Sequence, residues 1–186
     1  MRIISGIAKG KKILIPTDNK TRPLKDMVKE SIFNILNHSN LLNSKLNESI
    51  VLDLFSGVGS FGLEAISRGA KKVVFFENYP EAIKILEKNL NLLKNLDNHK
   101  IYKENFFNFF SSNKNFDFKF NIIFIDPPYK ETKINEIIKL IFEKKMLIQN
   151  GILIIHRHKK DNIKITNKLN ILEERSYGIS KILLGN

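Results

Sequence analysis

Asp126-Pro127-Pro128-Tyr129 places a carboxylate, two imino acids and an aromatic ring in consecutive positions. The prolines fix φ and remove two N–H donors, so the carbonyls of this stretch keep fixed directions. A carboxylate and a rigid carbonyl can accept both hydrogens of one amine. That arrangement suits alkylation of an exocyclic amine on a nucleobase, a poor nucleophile because its lone pair is delocalised into the ring. Accepting the hydrogens favours a pyramidal nitrogen and turns the lone pair towards the electrophile, while Tyr129 stacks on an extruded base. No strong general base is needed, since the alkylated amine sheds its extra proton readily. These residues alone leave guanine N2, adenine N6 and cytosine N4 open. The bland alternative is a proline turn that ends a strand.

A second chemical cluster lies earlier: Asp53-Leu54-Phe55-Ser56-Gly57-Val58-Gly59-Ser60-Phe61-Gly62. Gly57, Gly59 and Gly62 fit G-x-G-x-x-G, which gives a tight turn, close approach of a ligand to backbone and close helix–strand packing. Glu77 follows 18 positions after Gly59, where a carboxylate can accept both hydroxyls of a ribose. A dinucleotide and S-adenosylmethionine both contain such a ribose. Asp53 separates them. An acid beside the loop opposes two phosphates but suits a sulfonium and an ammonium group. S-adenosylmethionine is therefore favoured, and a dinucleotide-binding oxidoreductase becomes the rival reading. A non-catalytic RNA-binding module is the third.

Positioning these groups requires strands that end at one edge. From Ile50 the pattern alternates strand and helix. Strands are expected at Ile50–Leu54, Lys72–Phe76, Lys100–Lys103, Asn121–Ile125 and Gly151–Ile155. Helices are expected at Ser60–Arg68, from Pro80 to Leu93, from Phe106 and at Ile134–Phe142. Such β–α units imply parallel strands with crossover helices. Leu169–Glu173 and Ile179–Leu184 have no helix between them and read as an antiparallel hairpin around Tyr177-Gly178. Asp126 then falls at a C-terminal strand end, where open α/β sheets bind ligands. Ahead of this body, residues 1–15 read as a basic β-hairpin, Pro16–Pro23 as a connector and Leu24–Leu36 as a helix. Asn37–Ser49 reads as a polar linker, dividing an N-terminal extension (1–45) from the main domain (46–186).

The chain has 186 residues, 42% hydrophobic, enough for one domain with a full core. With 0 Cys, a disulfide framework, a thiolate metal site and a cysteine nucleophile are excluded. The four histidines lack metal-ligand spacing, so no metal is expected. No apolar run reaches the length of a membrane span, and Met1–Gly6 does not open a secretory signal. The cytoplasm and a monomer are the expectations. Lys and Arg number 31 against 19 Asp and Glu, a net charge of +12, which points to a polyanionic partner. Seven of these cations lie in residues 1–25 with one acid. Arg2, Lys9, Lys11, Lys12, Arg22 and Lys25 are candidates for phosphate contacts that position RNA without reading sequence. Arg157–Lys164 suits a solvated loop or RNA contact. The phenylalanines at 106, 107, 109 and 110 read mostly as core.

Asp53-x-Phe55-x-Gly57-x-Gly59, Glu77 and Asp126-Pro127-Pro128-Tyr129 together resemble a class I S-adenosylmethionine-dependent amino-methyltransferase. The N-terminus narrows the match. Met1-Arg2-Ile3-Ile4-Ser5-Gly6, Lys9-Gly10-Lys11-Lys12, Thr21-Arg22-Pro23 and Val28-Lys29-Glu30-Ser31-Ile32-Phe33-Asn34 resemble the RsmD family. That family methylates guanine N2 in bacterial small-subunit (16S) ribosomal RNA. The resemblance spans nearly the whole chain and implies a Rossmann-like α/β fold. This is a mostly parallel seven-stranded sheet with a C-terminal antiparallel hairpin, helices on both faces and a small basic N-terminal extension. It implies S-adenosylmethionine as cofactor, and ribosomal RNA or an assembled small subunit as partner. By position, Asp53, Gly57 and Gly59 would line the methionine end of the cofactor, with Phe55 and Gly62 in the same loop. Glu77 would hold the ribose, with Asn78 beside it, and Asn105 and Phe106 would border the adenine. Asp126, Pro127 and Tyr129, with Pro128 between them, would position the target base. The family often carries an acid after the fifth strand, where this chain has His156.

Overall fold

The computed structural model describes residues 1–18, 21, 24–38, 46–93, 98–128, 130–161 and 164–186. Its strands are Ile50–Leu54 (β1), Lys72–Phe76 (β2), His99–Tyr102 (β3), Phe120–Ile125 (β4), Leu147–His158 (β5), Ile171–Tyr177 (β6) and Ser180–Gly185 (β7). They form one sheet in the order β3-β2-β1-β4-β5-β7-β6. The first five strands are parallel, and β7 runs antiparallel to both β5 and β6. The helices are Asp26–His38 (α1), Ser60–Ser67 (α2), Pro80–Asn91 (α3), Phe106–Ser111 (α4) and Ile134–Glu143 (α5). The α/β sheet with its closing hairpin is the architecture that the β–α alternation predicts.

The central strands are apolar on both sides because helices cover both faces. Val51, Val73, Phe75, Ile122, Phe124, Ile152 and Ile154 pack with α1, α2 and α3. Their neighbours Leu52, Leu54, Val74, Phe76, Ile123, Ile125, Leu153 and Ile155 pack with α4 and α5. Strand side chains alternate between faces. Asp53, Glu77, Asp126 and His156 therefore continue the α1–α3 row of their own strands. The fold sends all four polar groups to one face, at or just beyond the carboxyl ends of β1, β2, β4 and β5.

The N-terminal segment departs from a regular hairpin. Among the described residues its ladder is a single bridge, Arg2–Lys12, because α2 takes over the backbone donors. The amides of Ile4 and Ser5 donate to the Glu64 carboxylate at 2.7 and 3.0 Å. Ala8 N–H donates to Ser67 Oγ, and Ser67 Oγ–H to the Ser5 carbonyl. Gly6 makes this approach possible: its φ is +84°, and a Cβ there would lie 1.8 Å from the Ser67 carbonyl oxygen. Lys29 of α1 is fully buried and donates to the Arg2 carbonyl, with Glu64 3.6 Å away. Burial lowers its pKa, opposed by the neighbouring Glu64 and Asp26 carboxylates. Ile3, Ala8 and Ile13 share one core with Phe33 and Phe61.

Two other boundaries differ from expectation. Strand β5 begins at Leu147 rather than Gly151, with an irregular register between Phe120 and Ile122, where Asn150 has a φ of 63°. The closing hairpin turns at Gly178-Ile179, so β6 starts at Ile171. Most of the expected linker 37–49 lies outside the described residues, which there include the end of α1 and a short 3-10 turn at Leu46–Glu48.

Candidate active site

A cavity of about 590 Å³ opens at the carboxyl edge of the sheet, on the α1–α3 side. Asp53, Phe55, Gly57, Glu77 and Asn78 line it, and so do Asp126, Pro127, Pro128 and Lys25. The glycine loop and the proline loop thus meet in one space of a size typical for a small-molecule ligand.

Each wall is fixed by its own bonds. Glu77 Oε2 accepts the Gly57 N–H at 2.7 Å, and its Oε1 accepts the N–H groups of Asn78 and Tyr79 at 2.8 Å. This carboxylate joins the glycine loop to the start of α3 and keeps spare acceptor capacity for a ribose. Asp53 Oδ2 accepts the Gly62 N–H at 2.9 Å. Its carboxyl is fully buried, and desolvation holds its pKa well above the usual range. The Gly62 bond opposes that rise, while the charges of Asp126 and Glu77 add to it. Three carboxyl groups around one cavity favour a cationic ligand.

The glycines have separate duties. Gly57 turns at φ +53° on the cavity wall. Gly59 has φ +85°, and a Cβ there would fall 2.4 Å from Leu86 of α3. At Gly62 a Cβ would fall 2.2 Å from the Phe75 ring. Neither Gly59 nor Gly62 is among the lining residues; Gly59 lets α3 pack against the loop and Gly62 lets α2 pack against β2, and so they shape the loop from behind.

Asn105 and Phe106 are also outside this cavity. The Asn105 carboxamide caps α4 by accepting the Phe107 N–H. Phe106 packs edge-on against Phe76 and Phe110 on the opposite face. Tyr129 and Arg22 lie outside the described residues. Arg2, Lys9, Lys11 and Lys12 lie on the N-terminal segment, and Lys11 Nζ caps the end of α3 at the Leu92 carbonyl.

Several residues joined the site without a local sequence signal. Thr21, Leu24 and Tyr79 line the cavity with Ser60 and Lys130. Tyr79 donates its hydroxyl to Asp18, which pushes its pKa up to about 12. Buried Asn89 of α3 bonds Leu14 through both backbone groups and also donates to the Val58 carbonyl. That one carboxamide ties the opening segment to the glycine loop. Arg157 is buried rather than solvated: it pairs with Asp161 and donates to the carbonyls of Pro128 and Glu131 at 3.3 Å. It braces the proline loop from behind. His156 lines the cavity too, its Nδ1 2.7 Å from Asp126 Oδ1.

The family model described as "Conserved hypothetical protein 95" matches residues 1–186, the whole chain. The ribosomal RNA small subunit methyltransferase D of Haemophilus influenzae is 31% identical over 180 residues, covering 96% of this chain and 90% of the relative. This chain belongs to the RsmD family. The solved structure of the Escherichia coli protein yhhF superposes with a TM-score of 0.79 at 26% identity. It covers 100% of this chain and 96% of that one. An RNA methyltransferase of Salinibacter ruber, solved with S-adenosyl-L-homocysteine, has a TM-score of 0.64 at 14% identity. It covers 88% of this chain and 92% of its own, and shares the fold.

As an RsmD-type protein the chain is a class I methyltransferase whose methyl donor is S-adenosylmethionine. The cavity fits that donor. Its carboxyl groups match the sulfonium and ammonium charges. Ser60 Oγ, buried in the wall, has no hydrogen-bond partner among the described residues and is free to meet a polar ligand. Among the described residues no group of three or more His, Asp or Glu side chains could hold a metal. No described helix is long and apolar enough to cross a membrane.

Proposed function

We propose that this protein transfers a methyl group to the exocyclic N2 amine of a guanine in small-subunit ribosomal RNA. The observation that carries this reading is the shared cavity. Asp126 stands on the same wall system as Glu77 and Gly57, so an amine held by Asp126 lies beside the cofactor's place. When bound, S-adenosylmethionine supplies an electrophilic methyl on a positively charged sulfur. Asp126, and a carbonyl held stiff by Pro127 and Pro128, accept the amine's hydrogens and orient its lone pair. Arg157 keeps that loop in place through the Pro128 and Glu131 carbonyls. Glu77 holds the ribose hydroxyls, and Asp53, ionised beside the cation, offsets its charge.

The name of the Haemophilus relative supports the ribosomal substrate. The guanine N2 position rests on resemblance to the family. Residues 1–45 serve as the RNA-contacting extension, with exposed Arg2, Lys9 and Lys12 on phosphates. Lys25 and Lys130, on the cavity lining, approach the phosphates flanking the target. Tyr129 stacks on the base.

Labelled donor incubated with small subunits from a strain lacking the endogenous enzyme, followed by nucleoside mass spectrometry, tests the reading. N2-methylguanosine is the expected product. N6-methyladenosine or N4-methylcytidine would replace the target, and no transfer would remove the reading. Replacing Lys9 and Lys12 with Gln should lower RNA affinity and flatten its salt dependence. An unaltered slope would move the RNA surface elsewhere.

A further inference from the structure

We propose that His156 is a positioning residue for methyl transfer: it fixes the Asp126 carboxylate so that one oxygen is presented to the target amine. The proposal rests on the role given to Asp126 above and adds the group that orients it. The backbone around Asp126 is already held. Its N–H donates to the Leu54 carbonyl at the end of β1. Two prolines stiffen the turn that follows, and Arg157 braces the carbonyls of Pro128 and Glu131. The side chain keeps a freedom of its own, because the terminal torsion of an aspartate is broad rather than confined to narrow staggered wells.

His156 removes that freedom. Ile125 and Ile155 pair in adjacent parallel strands, and Asp126 and His156 follow them on the same face. On its other side His156 pairs with Ile182 of β7, and the residue is only 7% exposed. A carboxylate can only accept, so the 2.7 Å contact is Nδ1–H donating to Oδ1. Among the described residues it is the one hydrogen bond of the Asp126 side chain. Oδ1 is thus engaged by a buried ring, and Oδ2 is left to accept from the amine. Consecutive residues of β5 hold the two parts of the proline loop, Arg157 its backbone and His156 its carboxylate. The amine needs both hydrogens met at once to turn its lone pair to the methyl. A carboxylate free to rotate would meet them only part of the time.

The test separates the donated hydrogen from the bulk of the ring. Single-turnover methyl transfer to small subunits, at saturating RNA and donor, is measured for wild type, His156→Ala, His156→Asn and His156→Gln. The amide nitrogen of Asn is attached to Cγ, as Nδ1 is, and can donate to Oδ1. Gln fills more of the space but carries its amide one carbon further out. His156→Ala should lose roughly 10–100-fold in rate, the cost of a misplaced group. Its affinity for S-adenosylmethionine, read by calorimetry, should stay within about threefold of wild type. His156→Asn should restore most of the rate and His156→Gln little. A packing role alone gives the reverse order, with rates that follow Tm, and that result would overturn the proposal. Should His156→Ala fail to fold, the order of Asn and Gln decides. A second arm asks whether His156 acts through Asp126. In an Asp126→Ala background, removing His156 should change the rate less than about twofold, since the group it orients is gone. A full further loss would give His156 a separate role and also overturn the proposal. Transfer by Asp126→Ala within about tenfold of wild type would remove the reading of Asp126 and this proposal together. An inactive Asp126→Ala beside a fully active His156→Ala would remove this proposal alone.

Discussion

On the face covered by α4 and α5, the contacts are almost wholly apolar. Phe76 meets Tyr102, Phe106, Phe109 and Phe116 ring to ring, and Phe109 stacks on Phe116 at 4.9 Å. On the face covered by α1, α2 and α3, polar groups run through the packing. Glu64, Lys29, Ser67 and Asn89 are all buried there, and each bonds to backbone of the opening segment. The cavity opens on this second face. Apolar contact suffices to hold a sheet against helices. Placing a loop within hydrogen-bond distance of a ligand requires directional bonds, and those occur where the site is.

A matched pair of substitutions would sharpen this contrast. Phe109→Ala and Glu64→Ala should each cost about 3–5 kcal/mol in a denaturant titration, the first by opening a cavity and the second by stranding Lys29 and two backbone amides. Transfer per folded molecule should survive in Phe109→Ala and fall in Glu64→Ala, since of the two only Glu64 bonds to the segment leading to the cavity. Equal activity losses would dissolve the distinction between the faces. Asp126→Ala should reduce transfer about a hundredfold or more with donor affinity little changed; turnover within tenfold of wild type would displace Asp126 from the amine. Glu77→Ala should weaken donor binding by about 1.5–3 kcal/mol, as for hydrogen bonds to a charged group, and an unchanged dissociation constant would take Glu77 out of the site.

The smallest effect runs in the opposite direction. Burial raises the Asp53 pKa in the folded state. A raised carboxyl pKa gives stability that is complete below the unfolded value, about 4, and is lost as pH climbs towards the folded value. Asp53→Asn removes that loss. Its Tm should exceed wild type at neutral pH by a few degrees, about 2–4 °C per kcal/mol relieved, and converge with it near pH 4. Its donor affinity should nevertheless drop. An advantage over wild type no larger at neutral pH than at pH 4 would mean that Asp53 is not the strained group on this face.

The sequence carried the strands of the core and the two loops between them. Runs such as Ile122–Ile125 have one reading, and period-two alternation beyond them places Asp53, Glu77 and Asp126 on a common side. What it did not carry are contacts made at long separation. Glu64 reads as an ordinary helix acid, yet its partners are 59 and 60 positions away. Arg157 sits in a basic stretch that looks solvated, but its carbonyl partners belong to another loop. Asn105 and Phe106 follow a strand as site residues would, yet α4 needs Asn105 as its cap and the aromatic cluster takes Phe106. His156 likewise sits in a basic stretch, and its pairing with Asp126, 30 positions away, appears only once β4 and β5 lie side by side.

The bond from Glu64 to the amides of Ile4 and Ser5 also sets a timetable. A growing chain releases its amino end first, long before the helix that will receive it has been made. Until α2 has left the ribosome, the opening dozen residues have no dock, and Lys29 has no carboxylate from that helix. Residues 2–8 are thus made before the helix that holds them, and their docking must wait for residues near position 67 to emerge.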